Sequence, residues 1–168
     1  MKHSFRFLAD LEEKKQSSYL WSLKESEVFH FQKVLRLKPA SKVEVFDGKG
    51  ISACGIVLSS SSKKVLVETL ELKKEDRQLP LLCLALAIFR QASFEDILSE
   101  LVELGVDKIF CFKQDKSPKS NLSQKQLERA QKIIISSAKQ CKRAFLPELL
   151  FFESLDDLLT SQAKCFSK

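Results

Sequence analysis

A chain of 168 residues is long enough for one ordinary domain or two small ones. Its hydrophobic content of 44% suffices for a packed core, and its charged content of 30% is that of a soluble protein. No apolar run approaches the roughly 20 residues that a membrane-spanning helix needs, and the net charge of +6 favours polyanions as partners.

The first residues, MKHSFR, lead into Asp10, Glu12 and Glu13 without the apolar core of a signal peptide, so the expected location is the cytoplasm. Residues 18–23, 42–46, 51–58 and 64–70 are rich in β-formers and partly alternate apolar with polar, as half-buried strands do. Ser26 is a candidate cap for a short helix through Val28, Phe29, Phe31, Val34 and Leu35. Asp47-Gly48 marks a tight turn, and residues 59–62 a looser one. Short strands with one helix predict a small closed β-barrel over residues 1–73. Residues 73–78, KKEDRQ, read as a linker ahead of Pro80.

Beyond the linker, in a unit expected over residues 79–168, the rhythm changes. Residues 79–89 are almost continuously apolar, which predicts a strand buried on both faces of a parallel sheet. Ser93 with Asp96 forms a candidate capping box, and Phe94, Ile97, Leu98, Leu101 and Leu104 recur at helical spacing up to Gly105, a helix stop. Residues 106–112 read as a second strand and 113–122 as a polar loop. Ser123 with Gln126 is a second capping box, opening a helix to about Gln140, and residues 146–152 make a third strand. The order βαβαβ is the opening of an α/β sheet.

Charge is concentrated in this second part. From Lys108 to Arg143 ten basic side chains face only Asp115 and Glu128, a net of +8. On the helix after Ser123, Leu127, Ala130, Ile134, Ala138 and Cys141 fall on one side, and Lys125, Arg129, Lys132, Ser136, Lys139 and Arg143 form a stripe on the other. Exposed helices usually mix signs, and this stripe holds no acid, so it is either a phosphate-contacting face or a solvated one. Lys33 and Arg36 lie three apart on the first short helix, Arg36 being the better phosphate ligand. His30, one turn back, either extends that face or is satisfied locally. Arg90 and Gln91 follow the first buried strand, at the strand end where α/β sheets gather ligands; the alternative is an ordinary polar loop. Glu103, between apolar neighbours, reads as a partly buried acid with a structural partner, with general base as the lesser option.

The five cysteines are scattered without a Cys-x-x-Cys pair and read as idle thiols; with two histidines they give no metal-ligand spacing. There is no phosphate-binding glycine loop, no His-Glu-x-x-His and no nucleophile elbow.

Val34-Leu35-Arg36, Phe46-Asp47-Gly48, Arg90, Glu103-Leu104-Gly105-Val106, Gln131-Lys132-Ile133, Gln140, Arg143 and Pro147 stand in an order and spacing that resemble the RsmE family of ribosomal RNA methyltransferases. The resemblance implies an N-terminal PUA-like β-barrel followed by the first βαβαβ part of a SPOUT α/β domain, the fold with a trefoil knot. It implies methylation of N3 of one uridine in small-subunit (16S) ribosomal RNA, with S-adenosylmethionine as donor, small-subunit RNA or the 30S subunit as partner, and a homodimer. Lys33, Arg36, Arg90, Lys125, Arg129, Lys132, Lys139 and Arg143 then become RNA-contacting candidates, with Glu103, Gly105 and Gln140 in structural roles. Family lysines are replaced here by Ser93 and Glu100, a family acid by Lys139, a tryptophan by Ala130 and a glycine by Ala40. Nothing after Pro147 resembles the family's cofactor loops, so no cofactor-binding or catalytic residue is carried onto this chain. The alternatives are a catalytically inactive, stand-alone RNA-binding remnant and a structural partner that dimerises through apolar faces.

Overall fold

The structure is a computed structural model, and it describes residues 4–88, 91–113 and 123–166. The chain divides into two compact units, residues 1–77 and 78–168.

The first unit is the β-barrel. Its strands are β1 (Phe5–Lys14), β2 (Tyr19–Leu23), β3 (Lys42–Phe46), β4 (Ile51–Ser60) and β5 (Val65–Thr69), joined in the closed order β3-β1-β2-β5-β4-β3. Every neighbouring pair is antiparallel except β1 with β3. Closure leaves none of these five strands with a bare edge. Inward-facing Phe7, Ala9, Trp21, Val43, Val45, Val57 and Val67 fill the centre, joined by Val28 and Phe31 from the short helix. Phe7 and Phe31 meet edge to face at 5.6 Å, and Trp21 Nε1 donates to Thr69 Oγ1 at 3.1 Å, so the one polar atom of that buried ring is satisfied. Between β3 and β4, Asp47 Oδ1 accepts from the amides of Lys49 (2.7 Å) and Ile51 (2.9 Å), while Gly48 and Gly50 take positive φ.

Three sequence expectations for this unit are corrected. β1 was not foreseen; its second half, DLEEK, is exposed and carries none of the apolar signal of a strand. The linker is shorter than residues 73–78, because Lys73–Lys74 pair with β4 as a sixth strand, β6. The helix, α1 (Glu25–Phe29), starts before Ser26, and its N-terminal Lys24 makes no side-chain cap. The chain then passes into a π-helical turn over His30–Val34, closed by Leu35 N donating to His30 O at 2.9 Å.

The second unit is a parallel sheet of β7 (Cys83–Ala87), β8 (Lys108–Phe112) and β9 (Glu148–Phe152), in the order β7-β8-β9. Helix α2 (Gln91–Glu103) joins β7 to β8, and α3 (Gln124–Gln140) joins β8 to β9. The two helices pack on each other, with Ser99 Oγ and Ser137 Oγ 2.8 Å apart. Ile88, Phe94, Leu98, Leu101, Ile109, Cys111 and Ala130 form the core between helices and sheet. Ser123 and Gln126 form the expected capping box of α3. Ser93 does not cap α2: it lies inside the first turn of a helix that begins at Gln91. β7 is not buried on both faces, since Leu84 and Ala85 are exposed on what is an edge strand of the described sheet. A last helix, α4 (Leu155–Phe166), went unforeseen; Ser154 Oγ accepts from Asp157 N at 3.0 Å at its start, and Leu158 is buried.

Burial among apolar side chains pushes the Cys111 thiol up to about 12, because a thiolate there loses its hydration. An unfolded chain releases that proton near pH 9, so between pH 9 and about 12 the folded state holds the extra proton. Stability contributed by this group is complete below pH 9 and falls as pH rises through that window. Urea unfolding of Cys111→Ala is therefore expected to start from a lower midpoint at neutral pH, through the lost packing, and to decline less steeply above pH 9 than the parent. Parallel declines would contradict the assignment.

Candidate nucleic-acid interface

Helix α3 buries Ala130, Ile134, Ile135, Ser137 and Ala138 and turns Lys125, Arg129 and Lys132 to solvent. Its start is fixed by the Ser123–Gln126 box, with Ser123 N donating to Gln126 Oε1 at 2.8 Å. Cys141, expected on the apolar side, is exposed, because α3 ends at Gln140 and the chain turns away there. The stripe is not free of acid in the folded unit: Glu95 of α2 reaches Arg129 Nε at 2.8 Å. Lys125 and Lys132 are the exposed cations of α3 to which the structure gives no ion pair among the described residues. Lys139 is half-buried.

Arg143 leaves the stripe altogether. It follows Lys142, which sits at φ 58 just past the helix and turns the chain inward. Its Nη2 donates to Asp107 Oδ1 at 3.1 Å and its Nη1 to Val102 O at 3.3 Å, with about 14% of the arginine side chain and 11% of the aspartate exposed. Asp107 Oδ2 accepts from Leu82 N at 3.0 Å. Asp107 N donates to Leu82 O at 2.7 Å, and its carbonyl accepts from Glu148 N at 2.9 Å. Sequence reasoning missed Asp107. Its signal was an acid heading an apolar strand, VDKIF, with an arginine just beyond the next helix.

The acid that was expected to be partly buried, Glu103, is exposed at the end of α2; Asp107, four residues on, is the buried one. Gly105 stands at φ 87 directly after α2, its amide donating to Val102 O at 3.2 Å and that of Val106 to Leu101 O at 3.0 Å. Gln140 is the exposed last residue of α3. Arg90 lies outside the described residues, as do Lys116 and Lys119. Just past the carboxyl ends of β8 and β9, Lys113 pairs with Glu153.

In the barrel unit, Lys33 and Arg36 are both exposed but do not share a helical face: the π turn ends at Val34, and Arg36 follows it at φ 52. A left-handed arginine costs about 1 kcal/mol that glycine would not. His30 is half-buried, its ring 6.2 Å from that of Phe7. Phe29 and Val34 are 66% and 59% exposed. Among the described residues no three His, Cys, Asp or Glu side chains can hold a metal ion, and no helix is long and apolar enough to cross a membrane.

Comparison with known proteins identifies both units. The family model of the RNA methyltransferase domain matches residues 75–167, and that of the RNA methyltransferase PUA domain matches residues 23–70. Ribosomal RNA small subunit methyltransferase E of Mesomycoplasma hyopneumoniae is 33% identical over 113 residues, covering 66% of this chain and 48% of the relative. The Synechocystis protein of the same name is 30% identical over 131 residues, covering 75% and 41%. The chain thus spans under half the length of the curated relatives it matches here. A predicted RNA methyltransferase from Thermotoga maritima superposes with a TM-score of 0.75 at 29% identity, over 90% of this chain and 67% of that one. Ribosomal RNA small subunit methyltransferase E from Neisseria gonorrhoeae, solved bound to S-adenosyl methionine, does so with a TM-score of 0.67 at 26% identity, over 90% and 62%.

The Asp107–Arg143 pair gives a direct stability test. Asp107→Ala leaves a buried guanidinium and the Leu82 amide without their acceptor, and is expected to cost about 3 kcal/mol. The double variant with Arg143→Met should recover part of that loss in urea unfolding; equal stability of the single variant and the parent would contradict the geometry.

Proposed function

This chain belongs to the RNA methyltransferase family, and we propose that it supplies the RNA-holding barrel and the first βαβαβ of an enzyme that methylates N3 of a uridine in small-subunit ribosomal RNA. S-adenosylmethionine, the ligand of the Neisseria gonorrhoeae neighbour, is the methyl donor in this reading. The observation that carries it is the joint match of both units to the two domains of one family, barrel and α/β.

The chemistry of the described residues supports RNA contact. Lys33 and Arg36 on the barrel, and Lys125 and Lys132 on α3 with Glu128 between them, are exposed cations, and each phosphate they meet releases condensed counterions. Arg129 shares its charge with Glu95, and Arg143 is spent on Asp107, so these two contribute less to binding than the sequence stripe implied. Arg90 stays in the proposed contact set on family spacing alone, and Lys139 on its place in the basic stripe of α3. No residue of this chain is assigned to the donor, and no step is assigned to the Lys113–Glu153 pair near the strand ends. A cytoplasmic homodimer acting on the 30S subunit or its RNA completes the reading, with residues 1–73 as the RNA-binding barrel and 79–168 as the partial SPOUT domain.

Expressed from its own gene, the protein is expected to move the tritiated methyl of S-adenosylmethionine into 3-methyluridine of small-subunit RNA. Label in another nucleoside, or none, would contradict the assignment. Lys33→Glu with Arg36→Glu, and separately Lys125→Glu with Lys132→Glu, are each expected to weaken RNA binding at least about 10-fold and to flatten its salt dependence by about one to two units of slope. Unchanged affinity in both pairs would remove the RNA contacts from these faces.

A further inference from the structure

Resting on the reading above that the barrel contacts RNA, we infer that Phe29 is a stacking platform for an unpaired base, so that this face takes single-stranded rather than duplex RNA. The observation is a large aromatic ring, 66% exposed, at the end of α1, while Phe31 in the π turn that follows is fully buried. Neighbouring Val34 is 59% exposed. The π turn explains why. Its i→i+5 closure puts residues four and five apart over one another, so Phe29, Lys33 and Val34 line one side of the segment while Val28 and Phe31 enter the barrel core. An α-helix continued through the same sequence would not bring Val34 to that side. The wider turn therefore exposes an apolar surface beside a cation, at the cost of a strained Arg36 at φ 52. Such turns and strained residues concentrate at functional sites.

The surroundings fit a polyanion. Gln32 Nε2 donates to Ser60 Oγ at 3.1 Å and also to Ser61 O, which fastens the turn between β4 and β5 against this segment and brings exposed Lys63 into its neighbourhood. Exposed Lys33 lies one turn from Phe29, exposed Arg36 and Lys63 lie on the stretches next to it, and the exposed acids of this region are Glu25, at the far end of α1, and Glu12, which pairs with Lys64. A ring bordered by cations is how single strands are held without reading their sequence, the base on the ring and the phosphates on the cations. A duplex keeps its bases stacked inside and offers the ring nothing. A protein segment would gain from the three cations only if it were acidic.

The test is titration of the full chain with a short fluorescein-labelled RNA of mixed sequence, single-stranded and as a duplex, using the parent, Phe29→Ala, Phe29→Trp, and Lys33→Ala with Arg36→Ala. Phe29→Ala is expected to bind the single strand about 5- to 150-fold more weakly with an unchanged salt slope, since stacking moves no counterion. Its duplex affinity should match the parent. In Phe29→Trp the added indole should be quenched by the single strand while affinity is kept. Phe29→Ala at parental affinity, with Lys33→Ala and Arg36→Ala weakened, overturns stacking and leaves the RNA reading standing. Parental affinity in all variants overturns both. Loss of self-association in Phe29→Ala with RNA binding intact overturns stacking in favour of a contact between copies of the chain.

Discussion

The α/β unit hangs on one buried carboxylate. Asp107 is held by the start of β7 through Leu82, by the start of β9 through Glu148, and by Arg143 arriving from the end of α3. Arg143 in turn reaches Val102 near the end of α2. The elements from β7 to β9 are thus tied to this point by hydrogen bonds from residues in them or within three positions of their ends. Charges taken out of water cost several kcal/mol unless they are paired and their remaining valences filled, and here both oxygens of Asp107 have donors. The pair sits at the amino ends of the strands, opposite the carboxyl ends where α/β sheets bind ligands. Its work is to set the register of the sheet and the exit of α3, and so the direction in which Lys125 and Lys132 face.

In the barrel, closure does the corresponding work. With β3 paired to both β1 and β4 there is no slack in the ring, and the segment from α1 to Leu37 must cross the outside of a fixed wall. Phe31 anchors it from within and Gln32 from the side. The chain meets that constraint with a π turn and two left-handed residues, Arg36 and Ala40. Ala40, at φ 69, takes a conformation that glycine would adopt at less cost. Both units thus present cations from short stretches whose backbone direction is dictated by the core beneath them.

What the sequence disclosed was the local chemistry. The capping box at Ser123 and the β-forming runs were legible because each depends on residues a few positions apart. The architecture followed from their order, barrel first and then βαβαβ. What escaped depended on contacts between distant residues. Glu95 neutralises Arg129 across two helices, and Asp107 captures Arg143 from 36 positions away; a helical wheel sees neither. The short helix expected through Val28, Phe29, Phe31, Val34 and Leu35 divides into α1 and a π turn, a change of period that depends on the barrel wall beneath it. β1 was missed because half of it is charged and exposed, a strand made by its partners rather than by its own composition. β7 looked like a central strand because its residues are apolar, yet in the described sheet it lies at an edge.

The most direct test of the account is ultraviolet crosslinking of the protein to small-subunit ribosomal RNA, with the crosslinked peptides identified by mass spectrometry. Crosslinks gathered on the segment from Phe29 to Arg36 and on the exposed side of α3 around Lys125 and Lys132 are the expected result. Crosslinks spread evenly over both units, or gathered away from these two faces, would contradict it.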